Sequence, residues 1–165
     1  DAIDIGKAQR IGHGVDIAWE NNSKSILESM KKRNIAVEIN LVSNQKILGI
    51  SGAQHPLNYY LKHGVAVTLS SDDEGVLRTD LTAQFVESDY QHRLDYETLR
   101  RINHNTLTYS FLPGKSLWST TAKNSPVAAC IDLMSPSCLD YVNHSKKAAQ
   151  QRALELALRR FEEGF

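Results

Sequence analysis

The sequence has no apolar run near the roughly 20 residues that span a bilayer, so no membrane partner is expected. It has no excess of either charge, Lys plus Arg and Asp plus Glu standing at 19 each. A balanced chain sets up no field to hold a nucleic-acid backbone or an anionic lipid surface, and no nucleic-acid partner is expected either. Cysteine is scarce: Cys130 and Cys138 are alone, and the seven residues between them are not a metal-ligand spacing. In a Ser- and Pro-containing segment such a pair can close a small disulfide in an oxidising compartment or remain as two cytosolic thiols, and the residues leave both open. No internal repeat or low-complexity tract is present, and the opening DAIDIGKAQR has neither the basic start nor the apolar core of a signal peptide. It also lacks an initiating Met and reads like the end of a helix feeding a strand, so the chain is expected to be a fragment. What is there is 165 residues, 41% of them hydrophobic, enough for one ordinary core.

Residues 1–80 alternate short β-branched runs with amphipathic stretches. Strands are expected over 8–14, 35–44 and 65–73, with a helix over 21–34, N-capped by Asn22 or Ser23, and a short helix over 55–64 that starts near Pro56 and stops at Gly64. Strands alternating with helices argue for an α/β fold with a parallel sheet. Two helices follow over 79–94 and 95–112, the second capped by Asp95 and stopped by Pro113. Residues 116–143 show no convincing period and read as a long loop, and the last stretch repeats apolar residues at Leu154, Leu158 and Phe161, the face expected to pack.

Each expected strand ends on polar groups: His13 on the first, Ser43 and Asn44 after the second, Asp72 and Asp73 on the third. In parallel β/α folds the strand C-termini gather around one mouth, where ligands and metals bind. A histidine beside glycines is more often structural than catalytic, and Ser, Asn and Asp commonly cap the helix that follows a strand. Glu38 resists that reading, because a carboxylate inside AVEIN needs a partner if the strand is buried. The Asp72–Asp73 doublet resists it too, since a cap needs one carboxylate and two adjacent ones are costly to desolvate without a cation or ligand.

QRIGHGVDI, VEINLVSNQ, HPLNYYLKHGVAVTLSSDDEG and NTLTYSFLP stand in an order and at spacings that resemble the zinc-dependent adenosine deaminases, over about residues 1–118. The tail NHSKKAAQQRALELALRRFEEGF is similar to the last helix of the secreted, growth-factor-like branch of that family. The resemblance implies the C-terminal portion of a (β/α)8 TIM barrel of the metal-dependent hydrolase type, strands six to eight with the closing helices. It implies one zinc ion as cofactor and a purine nucleoside as substrate. His13 matches the histidine that orients and assists the attacking water, Asp72 the zinc-ligating aspartate and Asp73 the aspartate facing purine N7. Glu38 and Ser43 match supporting positions behind the site, while His55 and Asn105 match structural ones. His63, His92, His104 and His144 match none and are expected on the surface or on helices. Purine N7 only accepts hydrogen bonds, so a carboxyl group facing it is useful when it carries a proton.

The family also uses a His-x-His pair and a His-x-x-Glu motif, and neither occurs here. One zinc ligand of four is too few for a closed tetrahedral site. The implied activity is hydrolytic deamination of adenosine and 2'-deoxyadenosine to the inosine product and ammonia, with this chain carrying part of the site and inactive alone. Its expected partner is the missing N-terminal half of the barrel or another copy of the chain. The alternatives are a deaminase of another aminopurine or nucleotide, and a catalytically inactive α/β fragment. The expected divisions are 1–115 for the barrel part, 116–143 for the loop and 144–165 for the last helix. The cysteine pair and the tail favour a periplasmic or secreted location.

Overall fold

The computed structural model describes residues 1–120 and 125–164. The chain separates into two compact units, Asp1–Asn103 and His104–Phe165. The first is built on a three-stranded parallel sheet, β1 (Arg10–Gly12), β2 (Ala36–Ile39) and β3 (Val67–Leu69), in sequential order. Ile11 lies opposite Val37, and Val37 opposite Val67. Helix α1 (Ser23–Lys32) connects β1 to β2, and α2 (Leu41–Leu48) and α3 (Leu57–Lys62) connect β2 to β3. Parallel strands need such crossovers, and residues buried on the helix-covered face read as β-branched runs. Val37, Ile39, Val67 and Leu69 pack with Leu27 and Met30 of α1 and with Leu57 and Tyr60 of α3 in one core. The expected α/β class is observed.

Helix α4 (Glu74–Leu77) follows β3, and α5 (Leu81–His92) and α6 (Tyr96–Thr108) follow α4. The Asp95 carboxylate accepts from the Thr98 amide at 2.8 Å, as its expected capping role requires. A side-chain hydrogen bond from Thr98, with this amide bond second, holds the Asp95 carboxyl below the usual carboxylate range. The second strand is shorter than expected. Its pairing with β3 ends at Ile39 opposite Leu69, and the Asn44 amide turns back to the Asn40 carbonyl at 2.9 Å, so residues 41–44 form the first turn of α2.

The second unit starts within α6 and contains β4 (Trp118–Thr120), β5 (Ser125–Pro126), α7 (Pro136–Asn143) and α8 (Lys146–Glu162). Residues 116–143 are therefore not a continuous loop. The Ser135 hydroxyl caps α7, Pro136 occupies its first turn, and Cys130 is joined to Cys138 by a disulfide. An eight-residue helix that buries only Cys138 and Val142 is too short to display a period, which is why the pattern is absent from the sequence.

The buried stripe of α8 also differs from the expected one. It runs through Ala148, Gln151 and Glu155, while Phe161 is 52% exposed. Polar side chains lie inside because they are bonded there. The Gln151 carbonyl oxygen accepts from the Leu117 amide at 2.7 Å, and its amide donates to Thr108 Oγ1 at 3.1 Å. Glu155 Oε2 meets His104 Nε2 at 2.9 Å, and His104, expected on the surface or on a helix, lies on α6 and is 1% exposed. His92 is likewise buried.

Replacing Gln151 by Leu adds apolar volume to this unit yet orphans the buried Leu117 amide. The expected result is a loss of about 1–3 kcal/mol in denaturant unfolding; an unchanged midpoint would contradict the buried-polar account of α8.

Candidate active site at the strand ends

The first two strands and the loop after the third deliver polar residues to one place. His13 follows β1, Asn40 follows β2 and opens α2, and Asp72 follows β3. His13 and Asp72 both adopt left-handed backbone, with φ of 60° and 56°. For residues with a Cβ this costs on the order of 1 kcal/mol each and persists where surrounding structure imposes it. Around His13 the imposing contacts are visible. Its amide donates to the Glu38 carbonyl at 2.9 Å, and the Tyr60 hydroxyl donates to the Gly14 carbonyl at 2.7 Å. Gly14 itself sits at φ 59°, and a Cβ there would meet Tyr60 Oη at 2.6 Å. The result is that His13 Nε2 lies 3.9 Å from Asp72 Oδ2, with side-chain exposures of 45% and 27%.

Behind His13 lies a chain of hydrogen bonds. The Leu57 amide donates to His55 Nδ1 at 3.2 Å, and His55 Nε2 reaches Asn44 Oδ1 at 3.1 Å. Asn44 Nδ2 then reaches His13 Nδ1 at 3.1 Å, and Asn40 Nδ2 reaches the same nitrogen at 3.2 Å. Burial, with a smaller contribution from His92, lowers the His55 pKa to about 4. At neutral pH His55 therefore holds one ring proton. The His92 ring stands edge-on to it at 5.6 Å between centroids, and burial lowers the His92 pKa as well.

The remaining sequence candidates are placed as follows. Asp73 stands at the N-cap of α4 without a side-chain capping bond and is exposed. The acidic doublet is thus not buried, because β3 ends at Leu69 and the chain has turned toward solvent before Asp72. Glu38 is half-buried and finds its partner in Arg10, Nε to Oε2 at 3.3 Å, so it supports His13 through its backbone carbonyl. Ser43 is buried in α2 beside Asn44. Cys130 and Cys138 lie in the second unit and form its disulfide. Asn44 is expected at the end of the second strand and His55 as structural, but the sequence shows neither their link to each other nor the part of Asn40. The available signal was the i, i+4 spacing of the two asparagines where β2 becomes α2. A cavity of ≈ 480 Å³ flanks His13 between Ile11, Met30 and Tyr60, but neither Asp72 nor Asp73 lines it. Among the described residues no group of three or more His, Cys, Asp or Glu could hold a metal ion. Asp72 does fit as a single ligand: its carboxylate is accessible, reaches the strand-end cluster and is a donor type that divalent cations accept.

A sequential parallel sheet with histidine, asparagine and aspartate at its C-terminal ends places the chain in the class of α/β proteins that work at that edge. Residues 1–119 match the family described as "Adenosine deaminase", and the chain belongs to that family. Adenosine deaminase of Klebsiella pneumoniae (strain 342) is 32% identical over 106 residues, 64% of this chain and 31% of the relative. Adenine deaminase of Cupriavidus pinatubonensis is 29% identical over 140 residues, 78% of this chain and 39% of the relative. A crystal structure of adenine deaminase from Arthrobacter aurescens shares the fold with a TM-score of 0.59 at 18% identity, over 86% of this chain and 38% of that one. The chain thus spans a minor part of the length of the curated relatives it matches, 31% and 39% for these two.

The depressed pKa values of His55 and His92 have a stability consequence. Below pH 6.5 the unfolded state takes up a proton that native His55 refuses until about pH 4, so stability present above 6.5 is lost as pH falls through that window. The His55 contribution is about 3 kcal/mol at most, and His92 adds with the same sign. Urea midpoints should fall between pH 7 and pH 5, and less steeply in His55→Gln; a midpoint independent of pH would contradict this.

Proposed function

We propose that this chain contributes part of the active site of a purine deaminase, which converts adenosine or 2'-deoxyadenosine and water to the inosine product and ammonia. The observation that carries the reading is the approach of His13 Nε2 to Asp72 Oδ2, 3.9 Å, at the ends of adjacent β/α units. In this reading the three strands are the last three of an eight-stranded barrel. The N-terminal half, or another copy of the chain, supplies the remaining ligands and the residue that handles the proton at purine N1. Asp72 would be the one ligand from this chain to a zinc ion. A bound zinc ion supplies the Lewis acidity that lets water ionise near neutrality.

The chain's own residues then have defined tasks. His13 projects a ring nitrogen beside Asp72, within reach of the oxygen that attacks purine C6, and holds that oxygen on one face of the ring. Asp73, one residue on, faces purine N7 and must donate to it. Its exposed position in this chain is compatible with closure by the rest of the barrel and the substrate. The Cys130–Cys138 disulfide and the tail support placing the protein in the periplasm or outside the cell, in the growth-factor-like branch. A second reading, free adenine as substrate, is favoured by the match to an adenine deaminase over 140 residues, longer than the 106 residues of the Klebsiella match.

The test uses the full-length polypeptide, with metal analysis and ammonia release from adenosine, 2'-deoxyadenosine and adenine. Asp72→Ala should lose both the metal and turnover, by roughly 10²-fold or more; retention of both would sink the reading. Because N7 needs a donor, Asp73→Asn should keep substantially more activity than Asp73→Ala. Equal losses in the two variants would remove Asp73 from N7. Faster release from adenine than from adenosine would select the second reading.

A further inference from the structure

The hydrogen-bond chain behind His13 has a direction, and its direction is set by a group that cannot reverse. A backbone N–H only donates, so the Leu57 amide at 3.2 Å obliges His55 Nδ1 to accept. The single proton of a neutral His55 ring therefore sits on Nε2 and donates to the Asn44 oxygen at 3.1 Å. With its oxygen committed, Asn44 can turn only its NH2 toward His13, 3.1 Å away. An N–H on His13 Nδ1 would oppose that NH2 donor to donor. Asn40 cannot rescue it alone: its own NH2 faces the same nitrogen at 3.2 Å, and with that amide reversed the Asn44 NH2 would still oppose a proton there.

We propose that Asn44 and His55 are positioning residues that hold neutral His13 as its Nε2–H tautomer, so that a donor rather than a lone pair faces Asp72 and the reacting oxygen. The inference rests on the role of His13 proposed above, but its geometry stands independently of it. His55 and Asn44 touch neither substrate nor metal in this scheme. They act through the His13 ring, as the buried partner of a catalytic histidine does when it selects the tautomer. The low pKa of His55, set by burial and then by His92, agrees with a single ring proton there. His55 is 3% exposed and Asn44 1%, so the relay is shielded from water that could satisfy either orientation. Two buried polar side chains behind a half-exposed histidine thus have a chemical task beyond filling space.

The test is the 15N signature of the His13 ring, recorded with the protein labelled at its histidines and assigned by loss of the signal in His13→Gln. In the unaltered protein Nδ1 should carry the unprotonated signature and Nε2 the protonated one; the reverse pattern overturns the proposal without need of any variant. Asn44→Asp places an acceptor against Nδ1 and should exchange the two signatures. His55→Gln can accept from Leu57 and donate to Asn44, so it should preserve the wild-type pattern, whereas His55→Leu should yield a mixture. A backbone amide spectrum that stays unchanged shows that each variant is folded, and an unchanged His13 tautomer in folded Asn44→Asp overturns the relay. In the full-length polypeptide, Asn44→Asp should lower kcat by at least about tenfold with little change in KM, and His55→Gln should restore most of what His55→Leu loses. Reversal of the tautomer without loss of kcat would reject the positioning role while leaving the deaminase reading intact. Absence of any turnover in the unaltered full-length polypeptide would reject the deaminase reading while leaving the tautomer result to stand.

Discussion

One backbone amide sets the polarity of the strand-end cluster. The Leu57 N–H points at His55 Nδ1, and from that contact the donor and acceptor assignments run through Asn44 to His13. The amide is free for this because it lies at the start of α3, where no carbonyl four residues earlier is available within the helix. A local property of a helix terminus thus reaches a ring nitrogen at the end of a different strand. The distances involved are those of ordinary neutral hydrogen bonds, so the control comes from burial and directionality rather than from any one strong bond.

The sheet does the complementary work of bringing the ends together. β1, β2 and β3 are short and pair in register, so Gly12, Glu38 and Thr68 form one row across the sheet. The residues just beyond that row emerge close to one another. His13 and Asp72 are left in left-handed backbone, which neither residue favours alone. The Glu38 carbonyl and the Tyr60 hydroxyl hold the His13 end in place. Strain of this kind is tolerated when a packed scaffold over-determines it, and here the scaffold is the core formed by Val37, Ile39, Val67, Leu57 and Tyr60.

The second unit solves a different problem with similar means. Its core of Leu117, Trp118, Leu133 and Val142 is tied by the Cys130–Cys138 disulfide. The polar Gln151 and the Glu155–His104 pair are drawn inside because each finds partners among backbone and side-chain groups around it. Satisfied buried polar groups make packing specific, where an all-apolar stripe on α8 could slide. That is why the periodic leucines of the tail do not mark its most buried face.

The sequence by itself determined the α/β class and the alternation of three strands with helices, and it placed His13 and the aspartates as polar groups at strand ends. These depend on local patterning: β-branched runs, intervening amphipathic stretches, and polar groups placed at strand ends. It also carried enough family-specific motif to place residues 1–119. It could not reveal that β2 ends at Ile39 or that Gln151 and Glu155 are inside, because each depends on a partner distant along the chain, and α7 is too short to show a period. Only the tertiary structure decided that Asn44 and His55 stand behind His13, since residues 31 and 42 positions away from it meet through the folded sheet rather than through any local period. Hydrogen-bond direction is a property of such meetings, and no single side chain encodes it.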